Sequence, residues 1–115
     1  MVIRIKNLRL RTVIGVNEWE RRVLQDVILN ITLTFDGSRA AVTDKIEDTV
    51  NYKKLTKNII AEVEKSEYYL LEKLADRILN LIMRDARVEK AVVEVDKPLA
   101  LRFADSVSVC DERSR

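Results

Sequence analysis

Val27-Ile28-Leu29-Asn30-Ile31-Thr32-Leu33-Thr34-Phe35 alternates along its whole length. Val27, Leu29, Ile31, Leu33 and Phe35 fall in one phase, with Asn30, Thr32 and Thr34 in the other. Successive side chains of a strand point to opposite faces, so this run predicts a long strand with one face in a core. Asp36-Gly37 stops it. Toward the N-terminus, Val2 to Ile14 is also rich in β-branched residues, but its phase changes. Ile3 and Ile5 share one phase and Leu8, Leu10 and Ile14 the other, which reads as a strand with a bulge near Asn7. Arg9 and Arg11 then lie opposite Leu8 and Leu10. Between the two strands, after Gly15, the polar run Asn17-Glu18-Trp19-Glu20-Arg21-Arg22 reads as a loop or frayed turn.

Beyond Phe35 the period changes to that of a helix. Asp48, Thr49 or Asn51 can cap a helix whose inward positions are Tyr52, Leu55, Ile59 and Val63. Glu64-Lys65-Ser66-Glu67 breaks the stripe, and Leu71, Leu74, Ile78, Leu81 and Ile82 make a second amphipathic helix. Alternation returns at Ala91, Val93 and Val95 and runs to Pro98. Leu101, Phe103, Val107 and Val109 supply a last strand, with Phe103, like Phe35, facing the core. The order is ββααββ: an α+β fold, a four-stranded antiparallel sheet with two helices on one face. Gly15, Gly37 and Pro98 are the only Gly and Pro residues, so few turns interrupt the elements. No repeat or linker appears, and residues 1–115 are expected to form a single domain.

The chain has 115 residues, one domain's worth, enough to bury roughly 65% of the unfolded surface. Its 47% apolar and 35% charged residues, 21 basic against 19 acidic, exclude a disordered tail. No run of about 18 apolar residues offers a membrane span, and charges interrupt the N-terminal apolar residues as no signal peptide allows. Cys110 is the sole cysteine, which suits a reducing cytoplasm; a small apolar role in a strand fits it better than a nucleophile. A net charge of +2 gives no bulk attraction to nucleic acid or an anionic membrane. There is no histidine, so a Ser-His-Asp triad, a Cys-His pair and a His-ligated zinc are all excluded within the chain. Acid–base chemistry is left to Lys, Tyr, Asp, Glu or the one Cys.

Such a sheet has long outer strands with open edges, and closure into a barrel removes edges altogether. Arg4, Lys6, Arg9, Arg11, Glu94 and Asp96 can form a charged face lining the inside of a ring. We therefore expect several copies to assemble through sheet edges with closed symmetry.

Four segments carry a resemblance. They are Ile3–Thr12 (IRIKNLRLRT) followed by Ile14–Glu20 (IGVNEWE), then Val50-Asn51-Tyr52, then Leu70–Leu74 (LLEKL), and last Val95–Ser108 (VDKPLALRFADSVS). Together, in this order and spacing, they resemble the dihydroneopterin aldolase and dihydroneopterin triphosphate 2'-epimerase family. The resemblance implies the tunnelling fold, with four chains closing a barrel, two rings stacking into a homo-octamer, and active sites between neighbouring subunits. Zinc-dependent relatives on that fold need histidines and fall away.

Cleaving the bond between the first two side-chain carbons of a dihydropterin is a retro-aldol step, which needs an electron sink. The dihydropterin ring imine beside the reacting carbon is that sink, so no cofactor and no metal are expected. A carboxylate can accept both parallel N–H donors of the pterin's amino-pyrimidinone edge in a fork. The resemblance places Glu72 in that role, with the backbone of Leu71 beside it; otherwise Glu72 is a solvated helix residue. The resemblance makes Lys97, just before the only proline, the general base and proton shuttle. A lysine does this near neutral pH only where its surroundings lower its pKa, and the bland alternative is a surface lysine. Tyr52 corresponds to an active-site tyrosine from the adjacent subunit, able to relay protons, and can also be a core residue. Glu20 matches the acidic residue near the side-chain hydroxyls, with Glu18 as its rival. The resemblance also implies that Val50 and Asn51 line the same site. Trp19 is a loop hydrophobe or a lid, and the Arg21-Arg22 and Lys53-Lys54 pairs read as solvated faces.

Aldolase and epimerase share the cleavage. An aldolase releases glycolaldehyde; an epimerase recombines the fragments with inverted configuration. The opening Gly15–Glu20 resembles the aldolase branch, whereas Ala100–Ser108 and the basic first strand resemble the epimerase branch, although Leu99 stands where that branch has histidine. The aldolase is placed first. A triphosphate preference needs cations at the mouth of the site, for which Arg102 is the candidate. The reading from a different class is a non-catalytic binding or assembly domain. RNA binding on a sheet wants exposed aromatics, and with Phe35 and Phe103 assigned to the core few remain.

Overall fold

A computed structural model describes all of residues 1–115. The elements are β1 (Val2–Thr12), β2 (Gln25–Phe35), α1 (Ser38–Thr43), α2 (Tyr52–Lys65), α3 (Leu71–Ile82), β3 (Val88–Pro98) and β4 (Ser106–Ser114). Single 3-10 turns lie at Glu18–Arg22 and Ile46–Asp48. The strands form one antiparallel sheet in the order β1-β2-β3-β4, which leaves β1 and β4 as open edges.

The alternation of β2 translates directly into burial. Val27, Leu29, Ile31, Leu33 and Phe35 all enter the core, joined from β3 by Val88, Ala91, Val93 and Val95. α2 and α3 cover this face. α2 contributes Leu55, Ile59 and Val63, and α3 contributes Leu74, Ala75, Ile78, Leu79 and Ile82, while Leu71 and Leu81 pack half-buried at its margin. Asn51 is the residue that caps α2: its Oδ1 accepts the Lys54 N–H at 3.1 Å. On the sheet's other face Arg4, Arg9 and Arg11 are exposed, and Glu94 and Asp96 half-buried.

The phase change in β1 is a bulge. Its register against β2 shifts between Ile5 and Leu8, and Asn7 takes a left-handed φ of 53°. Asparagine tolerates that conformation, and Asn30 on β2 secures it, accepting the Asn7 N–H at 2.9 Å and donating to Asn7 Oδ1 at 3.3 Å. β1 ends at Thr12, and Ile14 joins the core from the following segment.

Three expectations need correction. Leu101 and Phe103 are not in a strand: β4 starts at Ser106, and Phe103 is 100% exposed in the β3–β4 turn. Leu99 and Phe103 have φ of 62° and 69°, so the backbone leaves the extended conformation there, and their two-residue spacing has no sheet to register on. Tyr52 is not a core residue but 58% exposed; Val50, one step before the cap, closes that end of the core instead. Finally, α1 occupies a stretch whose sequence pattern predicts no helix. It is a short turn initiated by Asp36, whose Oδ1 accepts from the backbone and hydroxyl of Ser38.

The short connection Ser66–Leu70 turns the chain back, so α2 and α3 run antiparallel. An open groove is lined by Thr49, Asn51 and Lys54 from the start of α2 and by Leu81 and Arg84 from the end of α3. The two helix starts therefore lie at opposite ends of the pair, separated by the 14 residues of α2, about 21 Å.

Candidate active site

Lys97 continues the inward phase of β3, after Ala91, Val93 and Val95, one residue before the strand ends at Pro98. Its aliphatic stem therefore extends along the core margin, and an ammonium so placed needs a partner. Glu20 is that partner. The 3-10 turn after β1 carries it inward, and Lys97 Nζ donates to Glu20 Oε2 at 2.5 Å, with the two side chains only 13% and 6% exposed.

The Glu20 carboxylate is held from all sides. Oε2 also accepts from Gln25 Nε2 at 2.9 Å, and Oε1 accepts from the backbone N–H and side-chain amide of Asn17 at 3.2 and 2.8 Å. Gln25 donates as well to the carbonyl of Ile14 at 2.6 Å, which fixes its amide. Burial works against the charge on Glu20. The bonds from Lys97, Gln25 and Asn17, with the charge of Lys97, outweigh it and lower the pKa from 4.5 to about 2. Gly15 makes room for this arrangement: it adopts φ +131°, and a Cβ there would lie 2.2 Å from the Glu20 carboxyl group. Glu18, by contrast, pairs with Arg22 on the surface at 2.5 Å. Of the two rival glutamates, only Glu20 meets Lys97.

The remaining candidates fall into two places. Leu71 and Glu72 form the first turn of α3, with Leu70 as N-cap, and Glu72 is exposed. The backbone N–H groups of Leu71, Glu72 and Lys73 have no partners within the helix. Val50, Asn51 and Tyr52 stand at the start of α2, at the opposite end of the helix pair. Val50 is buried, Asn51 is occupied as the cap and Tyr52 is exposed. A single chain thus joins Glu20 to Lys97 and keeps Tyr52 about 20 Å from Glu72.

The solvated-face reading of Arg21-Arg22 holds for Arg22 alone. Arg21 turns back and donates to backbone carbonyls of Gly15 and Tyr68. Trp19 is exposed in the turn beside Glu20. Cys110 is exposed on β4. No three carboxylate or thiol side chains gather as a metal site would require, and no helix is long and apolar enough to cross a membrane. Gln25 and Asn17 were not singled out from the sequence. For Asn17 the available signal is the Asn17-x-x-Glu20 pattern of a helix-start capping box; Gln25, the first residue of β2, carries none.

Residues 3–111 match the family model described as dihydroneopterin aldolase. The chain belongs to the dihydroneopterin aldolase family. It is 48% identical over 107 residues to the dihydroneopterin triphosphate 2'-epimerase of Pseudomonas aeruginosa, covering 93% of this chain and 87% of that protein. The corresponding epimerase of Escherichia coli K12 is 46% identical over 108 residues, covering 94% and 90%. Among solved structures, that of E. coli dihydroneopterin aldolase in complex with neopterin superposes with a TM-score of 0.94 at 26% identity, covering 99% of both chains. The antiparallel sheet with helices on one face is thus the architecture of the dihydroneopterin aldolase family as well as of this chain.

Proposed function

We propose that the chain is an enzyme that breaks the bond between C1' and C2' of a 7,8-dihydroneopterin side chain without a cofactor. The observation that carries this reading is the buried Lys97–Glu20 pair, held by Gln25 and Asn17 at the end of β3. Retro-aldol cleavage requires a proton to leave the C2' hydroxyl as the C1'–C2' bond breaks. The bond's electrons enter the ring imine, and a proton later returns to C1'. Lys97 is the group that carries the proton, and Glu20 holds Lys97 and the side-chain hydroxyls in place. Glu72 receives the amino-pyrimidinone edge as a fork, with the free N–H groups at the start of α3 beside it. Tyr52, with Asn51 beside it, reaches this site from a neighbouring chain, because its own chain keeps it at the far end of the helix pair; the Val50 side chain stays in its own core and only its backbone is near that surface. A ring of subunits closed through the β1 and β4 edges provides that neighbour.

The fate of the fragments separates two readings. Identities of 48% and 46% to dihydroneopterin triphosphate 2'-epimerases, against 26% to an aldolase, favour recombination with inversion at C2' over release. The aldolase outcome, placed first from the opening Gly15–Glu20, becomes the second reading. Incubation with 7,8-dihydroneopterin and with its triphosphate, followed by chromatography, decides between them. The C2' epimer alone means epimerase; glycolaldehyde with 6-hydroxymethyl-7,8-dihydropterin means aldolase. Both substrates recovered unchanged would overturn the catalytic reading and leave a binding domain.

A further inference from the structure

Arg21 follows Glu20 in the same 3-10 turn, yet its side chain crosses to the connection between α2 and α3. Nη1 donates to the carbonyls of Gly15 and Tyr68, each at 3.0 Å, and Nη2 donates to the carbonyl of Glu67. The guanidinium also lies 3.9 Å from the centre of the Tyr69 ring. Alongside it, the Gly15 N–H donates to the Tyr68 carbonyl at 3.3 Å. Glu67 and Tyr68 belong to no helix or strand, so their carbonyls have no ladder to join and must find donors elsewhere. A guanidinium, with its planar fork of donors, can serve three carbonyls and a ring face at once. Directly after this connection come Leu71 and Glu72.

We propose that Arg21 is a positioning residue: it ties the turn bearing Glu20 to the start of α3, and so sets the distance between Lys97–Glu20 and Leu71–Glu72. In its catalytic consequence the inference rests on the function proposed above, in which one group moves the proton and the other holds the ring. A displacement of about 1 Å between such groups costs about 100-fold in rate. Arg22, one residue on and paired with Glu18 at the surface, has no such reach.

The test compares Arg21→Met, Arg21→Lys and Arg22→Met with the unsubstituted chain. It measures kcat and KM for 7,8-dihydroneopterin or its triphosphate per folded molecule, and backbone hydrogen exchange over residues 66–72. Arg21→Met is expected to lower kcat about 10- to 100-fold and to speed exchange at 66–72 while the sheet and α2 keep their protection. Arg21→Lys should recover only part of the rate, since one ammonium cannot span the carbonyls; Arg22→Met should match the parent. A lowered Tm with unchanged kcat per folded molecule, or unchanged exchange at 66–72, overturns the positioning role. If the parent turns over neither substrate, it is the proposed function that fails, and the exchange comparison alone then rules on the clamp.

Discussion

Glu20 and Lys97 are 77 residues apart in the chain and 2.5 Å apart in space. Their contact depends on a residue with no side chain. Because a Cβ at position 15 would occupy the place of the Glu20 carboxyl, Gly15→Ala must push that carboxyl off Lys97 and also strain a backbone held at φ +131°. A fall in turnover of at least about 10-fold is expected from misplacing the proton-moving group, read from steady-state rates on folded protein. The same carboxyl makes stability depend on pH. Its folded pKa of about 2 lies below the ordinary 4.5, so in acid the unfolded chain binds the proton first. The stabilisation is complete above about pH 4.5 and is lost as pH falls toward about 2. Urea denaturation across that range should show a steeper acid loss in the parent than in Glu20→Gln, and parallel curves would refute the assignment. Glu20 and Lys97 were both legible in the sequence through the segments that carry them. The reach of Arg21 to Tyr68 was not, because a hydrogen bond between distant segments leaves no mark on the spacing of either one, whereas Asn17, three residues before Glu20, does leave the mark of a helix-start capping box.

The elements show where periodicity succeeds. Long runs with one buried face, such as β2, β3 and the Leu55-Ile59-Val63 stripe, were read correctly because many residues vote for the same phase. Ends and turns were read less well: Tyr52 and Phe103 are single residues past the last core contact, where an apolar side chain has nothing to pack on in its own chain. Asn51 is a useful probe of such an end. Asn51→Ala removes the acceptor for the Lys54 N–H and should cost about 1 kcal/mol, whereas Asn51→Asp keeps a cap and should cost much less. Urea denaturation of the two variants checks this. Equal losses would mean that the cap does not hold α2.

As a whole the chain is longer and more open than its size requires. Its extents are 51 × 26 × 22 Å and its radius of gyration 15.4 Å, against about 13 Å for a compact chain of this length. Its accessible surface is 7426 Å², where about 6,450 Å² is usual for the mass. Two open edge strands and exposed Trp19, Tyr52, Tyr69, Leu70, Leu101 and Phe103 account for the excess. Surface of this kind fits burial between copies. If Tyr52 completes the site of a neighbour, Tyr52→Phe and Lys97→Ala chains, each inactive, should regain activity when unfolded together and refolded as a mixture. Random assembly leaves roughly a quarter of the interfaces with both residues intact. No recovery in mixed assemblies, or a mass of 13.3 kDa in sedimentation, would rule out a shared site.

Local pattern was enough to specify the first three strands, the two long helices, most of their buried faces and the absence of imidazole chemistry, since each of these depends on residue type and on neighbours a few positions away. The pairing of Lys97 with Glu20, the room left by Gly15, the reach of Arg21 and the separation of Tyr52 from Glu72 had to wait for the folded chain. They arise where segments far apart in sequence are packed against one core, and distance in space is not a property that either segment carries alone.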